Sequence, residues 1–176
     1  MQESSRNHFE LFNLPTQFAI DLNSLDQHYK RLQSEVHPDR FAAAPTAERL
    51  RSLQLATQAN EAYRVLKNPT ARARYLLHIN GLDTQEESNT AMPAEFLMLQ
   101  MEWREVIEEA NAEGDIPALE ALLRKTQLEA KSLQQELHAY LDENNQLAEA
   151  AAAVRKLSFI DKLRGDIEQA IAKLED

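Results

Sequence analysis

An all-α fold is predicted for this chain: an antiparallel helical hairpin with two short flanking helices, followed by a three-helix bundle. Three observations predict it. Only 3 of the 176 residues are Gly, apolar residues recur at spacings of three and four rather than two, and nothing in the chain resembles a βαβ repeat. With 43% hydrophobic residues the chain can bury one or two small cores.

The elements follow in order. His8-Phe9-Glu10-Leu11-Phe12 reads as one short apolar turn closing at Asn13, a residue that tolerates left-handed backbone geometry. Leu25, Tyr29, Leu32 and Val36 then form a single stripe on a helix capped near Asn23. Pro38 disfavours helical geometry at His37 and ends that helix at about Val36. Leu50, Leu53, Ala56, Asn60, Tyr63 and Leu66 trace a second stripe from a start at Pro45 or Thr46. The two helices should pack antiparallel with His37-Pro38-Asp39 at one tip. Asn68-Pro69 supplies a cap and a first helical position for a fourth helix leading into Ala71, Tyr75 and Ile79. Gly81 stops it.

Asp83-Thr84-Gln85-Glu86-Glu87-Ser88-Asn89-Thr90 has no apolar period and reads as a polar linker. The expected organisation is an N-terminal domain over 1–80, a linker over 81–92 and a C-terminal domain over 93–176. Pro93 opens the first bundle helix, Glu113-Gly114-Asp115 turns into the second with Pro117 near its start, and a turn near Asp142 to Asn145 leads into the third. Leu119, Leu122, Thr126, Leu133, Leu137 and Tyr140 stripe the second helix. Leu147, Ala151, Val154, Leu157, Ile160, Ile167, Ile171 and Leu174 stripe the third. Three such stripes bury one another in an antiparallel bundle.

The first bundle helix carries more apolar residues than a core needs. At about 100° per residue, Phe96, Leu99, Trp103, Val106, Ile107 and Ala110 share one face. Leu97 and Met101 fall well away from it, and Met98, Glu102 and Glu105 lie further round the same far side. Phe159 likewise lies off the stripe of the last helix, amid Arg155, Lys156, Lys162 and Arg164. A contiguous exposed apolar facet marks a contact, and Met suits an adaptable one. Its occupant can be a foreign protein, the N-terminal domain or a second copy; periodicity does not choose among them.

Charge and composition narrow the function. Residues 1–80 hold 10 Lys and Arg against 8 Asp and Glu, whereas residues 81–176 hold 9 against 21. Two modules of such different charge meet different surfaces, and the acidic one repels phosphate backbones, so nucleic-acid binding is not expected. There is no Cys, hence no disulfide framework or thiolate metal site. The first six residues lack an apolar signal core and no run approaches a membrane span, so a soluble cytoplasmic protein is expected. His37 and Asp39 have no third partner for metal binding or acid-base chemistry, and His8, His28, His78 and His138 are scattered. No enzyme, metal or cofactor is expected.

The order of short helix, long helix, His-Pro-Asp loop, long helix and short helix over residues 8 to 80 resembles a J-domain. The matching residues are Phe9, Leu11 and Leu14, then Tyr29-Lys30-Arg31, His37-Pro38-Asp39-Arg40, and Asn60-Glu61-Ala62-Tyr63-Arg64-Val65-Leu66. Lys30 and Arg31 fall off the apolar stripe and should face water. The resemblance implies binding to a DnaK-type chaperone ATPase, with Tyr29, Lys30, Arg31, His37, Pro38, Asp39 and Arg40 as contact surface. Asn13 stands where many J-domains have Gly, and Glu35 stands where a cation is common, which points to a specialised partner.

With the bundle included, nearly the whole chain resembles the HscB family of co-chaperones of iron-sulfur cluster biogenesis. The further matching segments run from Glu95 to Glu105 and from Val154 to Arg164. This resemblance implies that the bundle binds the scaffold IscU through Leu97, Met98, Met101, Glu102, Glu105 and Phe159, while the J-domain stimulates ATP hydrolysis by the chaperone HscA. A monomer is expected. A generalist J-protein for unfolded clients and a plain adaptor or homodimer are the other classes consistent with the same facet.

Overall fold

The computed structural model describes residues 6–86 and 92–176. Expectations placed on residues 1–5, and on 87–91 of the linker, lie outside the described residues. The chain divides into two compact units, Met1–Asn80 and Gly81–Asp176. Among the described residues the regular elements are all helical, and no helix is long and apolar enough to cross a membrane.

The first unit begins with α1 (His8–Leu11), a single turn fixed by a capping box. The Asn7 side chain accepts from the Glu10 N–H at 2.9 Å, and the Glu10 carboxylate accepts from the Asn7 N–H at 3.1 Å. The chain then turns through Asn13 at φ 53°. Phe9, Phe12, Leu25, Leu66 and Leu77 are fully buried and form the centre of this core.

Helix α2 (Leu22–Glu35) is capped by Asp21, two residues before the expected Asn23. Asp21 Oδ1 accepts from the Asn23 and Ser24 backbone N–H groups at 2.9 and 3.4 Å, and a carboxylate there also favours the helix dipole. The Ser24 backbone N–H, followed by the Ser24 hydroxyl and the Asn23 N–H, holds the Asp21 carboxyl below the usual carboxylate range.

Beyond a 3-10 turn at Pro38–Phe41, helix α3 (Thr46–Lys67) departs from its expected face. Leu50 and Leu53 are 55% and 54% exposed, and the buried line is Ser52, Ala59, Ala62 and Leu66. Leu66 is buried as expected and Tyr63 packs on α2, but in the first half of α3 the packing side is the small residues, which let helix backbones approach closely; the Ser52 hydroxyl donates to the Arg49 carbonyl at 2.9 Å and is satisfied.

Helix α4 (Pro69–Ile79) starts as expected, with the Asn68 side chain accepting from the Ala71 N–H at 2.9 Å. Its buried residues are Thr70, Arg72, Ala73, Leu76 and Leu77, while Ile79 is exposed and Ala71 and Tyr75 are half-buried. Arg72 explains the shift. Its Nε donates to the Phe18 carbonyl at 2.8 Å, its Nη1 to the Leu66 carbonyl at 2.7 Å, and the guanidinium lies 4.8 Å over the Phe18 ring. Those partners make burial of a cation tolerable.

The second unit is built from α5 (Ala94–Glu113), α6 (Ile116–His138) and α7 (Leu147–Glu175). Gly114 ends α5 at φ 69°, the left-handed geometry that glycine takes without a Cβ penalty. Asp115 caps α6, accepting from the Ala118 N–H at 3.0 Å. A π-helical turn at Ala139–Glu143 carries the chain on from α6 and leaves Tyr140 half-buried, before Asn145 turns at φ 49°.

The core expectations hold for Leu119, Leu122, Thr126, Leu133 and Leu137 of α6 and for Ala151, Val154, Leu157, Ile160 and Ile167 of α7. Ile171 and Leu174 are only half-buried; Leu163 and Ala170 take the inward positions towards that end. On α5, Phe96, Trp103 and Ala110 are buried at a spacing of seven, Leu99 and Ile107 are half-buried, and Val106 is 37% exposed. A spacing of seven gives a narrower seam than the six-residue face expected. The polar stretch after Gly81 is anchored where described: Thr84 is buried, and its carbonyl accepts from Arg155 Nη1 at 3.2 Å.

Candidate functional site

Two surfaces hold the residues singled out by sequence, one in each unit. On the first, the hairpin tip, the ladder of α2 stops at Val36, and Pro38 has no N–H to give. The first backbone donor after Pro38 is the Asp39 N–H, which gives its hydrogen bond to His37 Nδ1 at 3.2 Å. His37 thus caps the 3-10 turn with its own ring, and Arg40 N–H closes the turn on the His37 carbonyl at 3.0 Å. With Nδ1 accepting, the neutral ring carries its proton on Nε2. The Asp39 side chain is 92% exposed and lies 3.6 Å from His37 Nδ1. Proline stiffness and an internal cap hold both polar groups outward.

Lys30, Arg31 and Arg40 are exposed and stand in no ion pair among the described residues. Tyr29 is different. Its ring stacks on Tyr63 at 4.0 Å, meets Phe12 edge-on at 6.2 Å, and its hydroxyl donates to Asn60 Oδ1 at 2.7 Å. Half-buried, it ties α2 to α3 and sets the base from which the cations project.

A second tie lies beside it. The Tyr63 hydroxyl donates to Asp26 Oδ1 at 2.8 Å, and Lys67 Nζ donates to both Asp26 oxygens at 2.8 and 3.0 Å. Lys67 first, then Tyr63, holds the Asp26 carboxyl below its ordinary range; the same contact raises Lys67, and Asp26 raises Tyr63. Elsewhere the His8 ring stacks on Tyr75 at 4.2 Å, where burial lowers its pKa, and His28 Nδ1 meets the Phe12 carbonyl. These histidines hold the fold. Among the described residues no three His, Cys, Asp or Glu side chains converge to hold a metal.

The second surface lies on α5. Leu97, Met98 and Met101 are 44%, 63% and 64% exposed, and Glu102 and Glu105 beside them face water. Phe159 of α7 is half-buried: its ring meets Phe96 edge-on at 5.9 Å, and Phe96 in turn meets Trp103 at 6.2 Å. Arg104 lies 5.7 Å over Phe159, and Lys156 5.7 Å over Phe96. Lys156, expected beside Phe159, lies over Phe96 instead, and Arg104 was not legible in the sequence because a stripe count does not see contacts across helices. The surface is an apolar strip rimmed by carboxylates, with an aromatic anchor fixed by the core.

Similarity to known proteins covers both units. The family described as HSCB C-terminal oligomerisation domain matches residues 92–168. A protein of Ralstonia nicotianae called Co-chaperone protein HscB homolog is 47% identical over 176 residues, the whole of both chains. A Paraburkholderia xenovorans protein of the same name matches to the same identity and extent. Among solved structures, chaperone HscB from Vibrio cholerae superposes with a TM-score of 0.85 at 38% identity, covering 96% of this chain and 99% of that one. Human co-chaperone protein HscB superposes with a TM-score of 0.88 at 26% identity, covering 95% and 83%.

Proposed function

The chain belongs to the HscB co-chaperone family, and from that premise we propose that it couples an iron-sulfur scaffold to a chaperone ATPase. In this reading residues 1–80 are the J-domain, 81–92 connect the domains, and 93–176 bind the scaffold IscU. The tip presents His37, Pro38 and Asp39 to HscA, with Lys30, Arg31 and Arg40 steering an acidic surface towards it. Asp39 offers a carboxylate to a cation on the chaperone, and the outward Nε2–H of His37 offers a directed donor. Leu97, Met98, Met101 and Phe159 bury against the scaffold, while Glu102 and Glu105 at the rim set its orientation.

No group in the chain is assigned a chemical step; ATP hydrolysis belongs to the partner. Joining two grips in one molecule raises the effective concentration of scaffold at the chaperone, so two modest interfaces act together. The observation that carries the proposal is the strip of three exposed apolar residues on α5, in the same chain as an ordered, outward His-Pro-Asp tip.

Steady-state ATPase measurements on HscA, with and without IscU, test both halves. Wild type should stimulate turnover synergistically with scaffold. His37→Gln should abolish the stimulation and leave scaffold affinity unchanged, whereas Leu97→Ala with Phe159→Ala should weaken scaffold binding about ten-fold or more and spare basal stimulation. Full stimulation by His37→Gln, or unchanged scaffold affinity in the double variant, would overturn the corresponding half.

A further inference from the structure

The pair Leu50 and Leu53 has no role in the fold. Taken at 100° per residue, Leu50 lies opposite the centre of the buried line of Ser52, Ala59, Ala62 and Leu66, and Leu53 about a third of a turn from it. Among the described residues they are the most exposed large apolar side chains of the first unit, each more than half open to water. An i, i+3 pair of leucines on one exposed face forms a patch, which needs a cause that a single surface leucine does not.

Position and charge point to the occupant. The pair lies in the first two turns of α3, next in the chain after the tip, and the intervening Phe41-Ala42-Ala43-Ala44-Pro45 contains no polar side chain. Ala42, Ala43 and Pro45 are exposed, so apolar surface continues from the tip onto α3. Arg49 borders the leucines, about 40° round the helix from Leu53, whereas Arg51 lies further round, about 100° from Leu50. Arg49 reaches only the Thr46 hydroxyl at 3.4 Å, and neither arginine stands in an ion pair among the described residues. Glu48, the one acid of this stretch, is exposed but lies on the opposite side of the helix from the leucines. The combination is an apolar centre with the cation Arg49 at its edge, following in the chain on the exposed cation Arg40.

We propose that Leu50 and Leu53 extend the docking surface of the tip along the outer face of α3, where they enter an apolar, acid-rimmed groove of the same ATPase partner. This rests on the reading of the tip as the chaperone contact and adds a specificity element to it. The α2 face is weakened electrostatically by the exposed Glu35, and buried leucine area supplies affinity that salt does not screen. A partner lacking the groove is discriminated against because it would leave the leucines wet and Arg49 unpaired.

The full chain carrying Leu50→Asp and Leu53→Asp, a Leu50→Gln and Leu53→Gln version, and a Leu50→Met and Leu53→Met control would be titrated into HscA turnover assays, with circular dichroism, sedimentation and scaffold binding measured in parallel. The concentration for half-maximal stimulation should rise about ten-fold or more for the Asp and Gln pairs, return to near wild type for Met, and leave saturating stimulation and scaffold affinity unchanged. An unchanged half-maximal concentration in a folded Asp or Gln variant overturns the inference and leaves the tip reading standing. A wild-type dimer that the Asp pair dissolves assigns the face to a second copy and also overturns it. Full stimulation by His37→Gln removes the tip reading and this inference together.

Discussion

The two units solve the same problem, packing amphipathic helices, with different means. In the first, polar side chains cross between elements: Tyr29 to Asn60, Tyr63 and Lys67 to Asp26, Arg72 to the carbonyls of Phe18 and Leu66. In the second, the seam is alanine and branched aliphatic residues, with Ala150, Ala151, Ala153, Val154, Leu157 and Ile160 following one another into the core of α7. The difference teaches how surface is made available. Directional ties between α2 and α3, added to the stacked Tyr29 and Tyr63 rings, hold a stiff tip. The bundle concentrates burial in α6 and α7, so α5 needs only Phe96, Trp103 and Ala110 for its seam and is free to show another face outward.

That contrast can be broken at three points of decreasing weight. The single Trp reports on the bundle alone, since Trp103 is buried on α5, whereas three of the four tyrosines, Tyr29, Tyr63 and Tyr75, belong to the first unit and dominate the tyrosine signal over Tyr140 of the second. Leu157→Ala, at a site with 0% exposure, should cost the bundle about 3 kcal/mol and lower the midpoint of the Trp103 fluorescence transition. A loss below about 1 kcal/mol would show that the seam is loosely packed.

Arg72→Ala should cost the first unit about 2 kcal/mol, because it leaves two buried carbonyls without these donors; the tyrosine near-ultraviolet signal should move and the Trp103 transition should not. Equal movement of both transitions would mean the units unfold together and the comparison is one of degree.

Asp26→Asn sharpens the contrast most gently. The folded carboxyl lies below its unfolded value, so its contribution is complete above the unfolded pKa and is lost as pH falls through the folded one. The variant should therefore be less stable than wild type near neutral pH and converge with it below about pH 4. Denaturant titrations at stepped pH, followed by tyrosine signal, would show it; a constant gap across that range would refute the linkage.

Much of this molecule was legible in its residues, and the failures have a common form. Caps and stops were readable because they act locally: Asn68-Pro69, Gly81, Pro93 and Gly114-Asp115 each set backbone geometry within a turn. The exposed side of α5 was readable because Leu97, Met98 and Met101 are too many for one core stripe. The packing side of α3 was not. Stripe counting rewards size, and there the contact is made by Ser52, Ala59 and Ala62, while Leu50 and Leu53 stay outside. Arg72 was invisible for a related reason, since a buried guanidinium depends on carbonyls contributed by Phe18 and Leu66, and sequence pattern does not record who will face whom. Tyr29 was expected on the contact surface, and its ring proves to be shared with the hairpin interior.

The Phe96 edge contact with Phe159 has an implication for failure. The aromatic anchor on α7 is held by a residue whose own place depends on α5 being seated, so the grip exists only while the bundle is closed. In the proposed reading, a copy whose α5 has come loose drops its cargo before it can recruit an ATPase to it. Damage then yields an idle molecule rather than one that delivers the wrong thing.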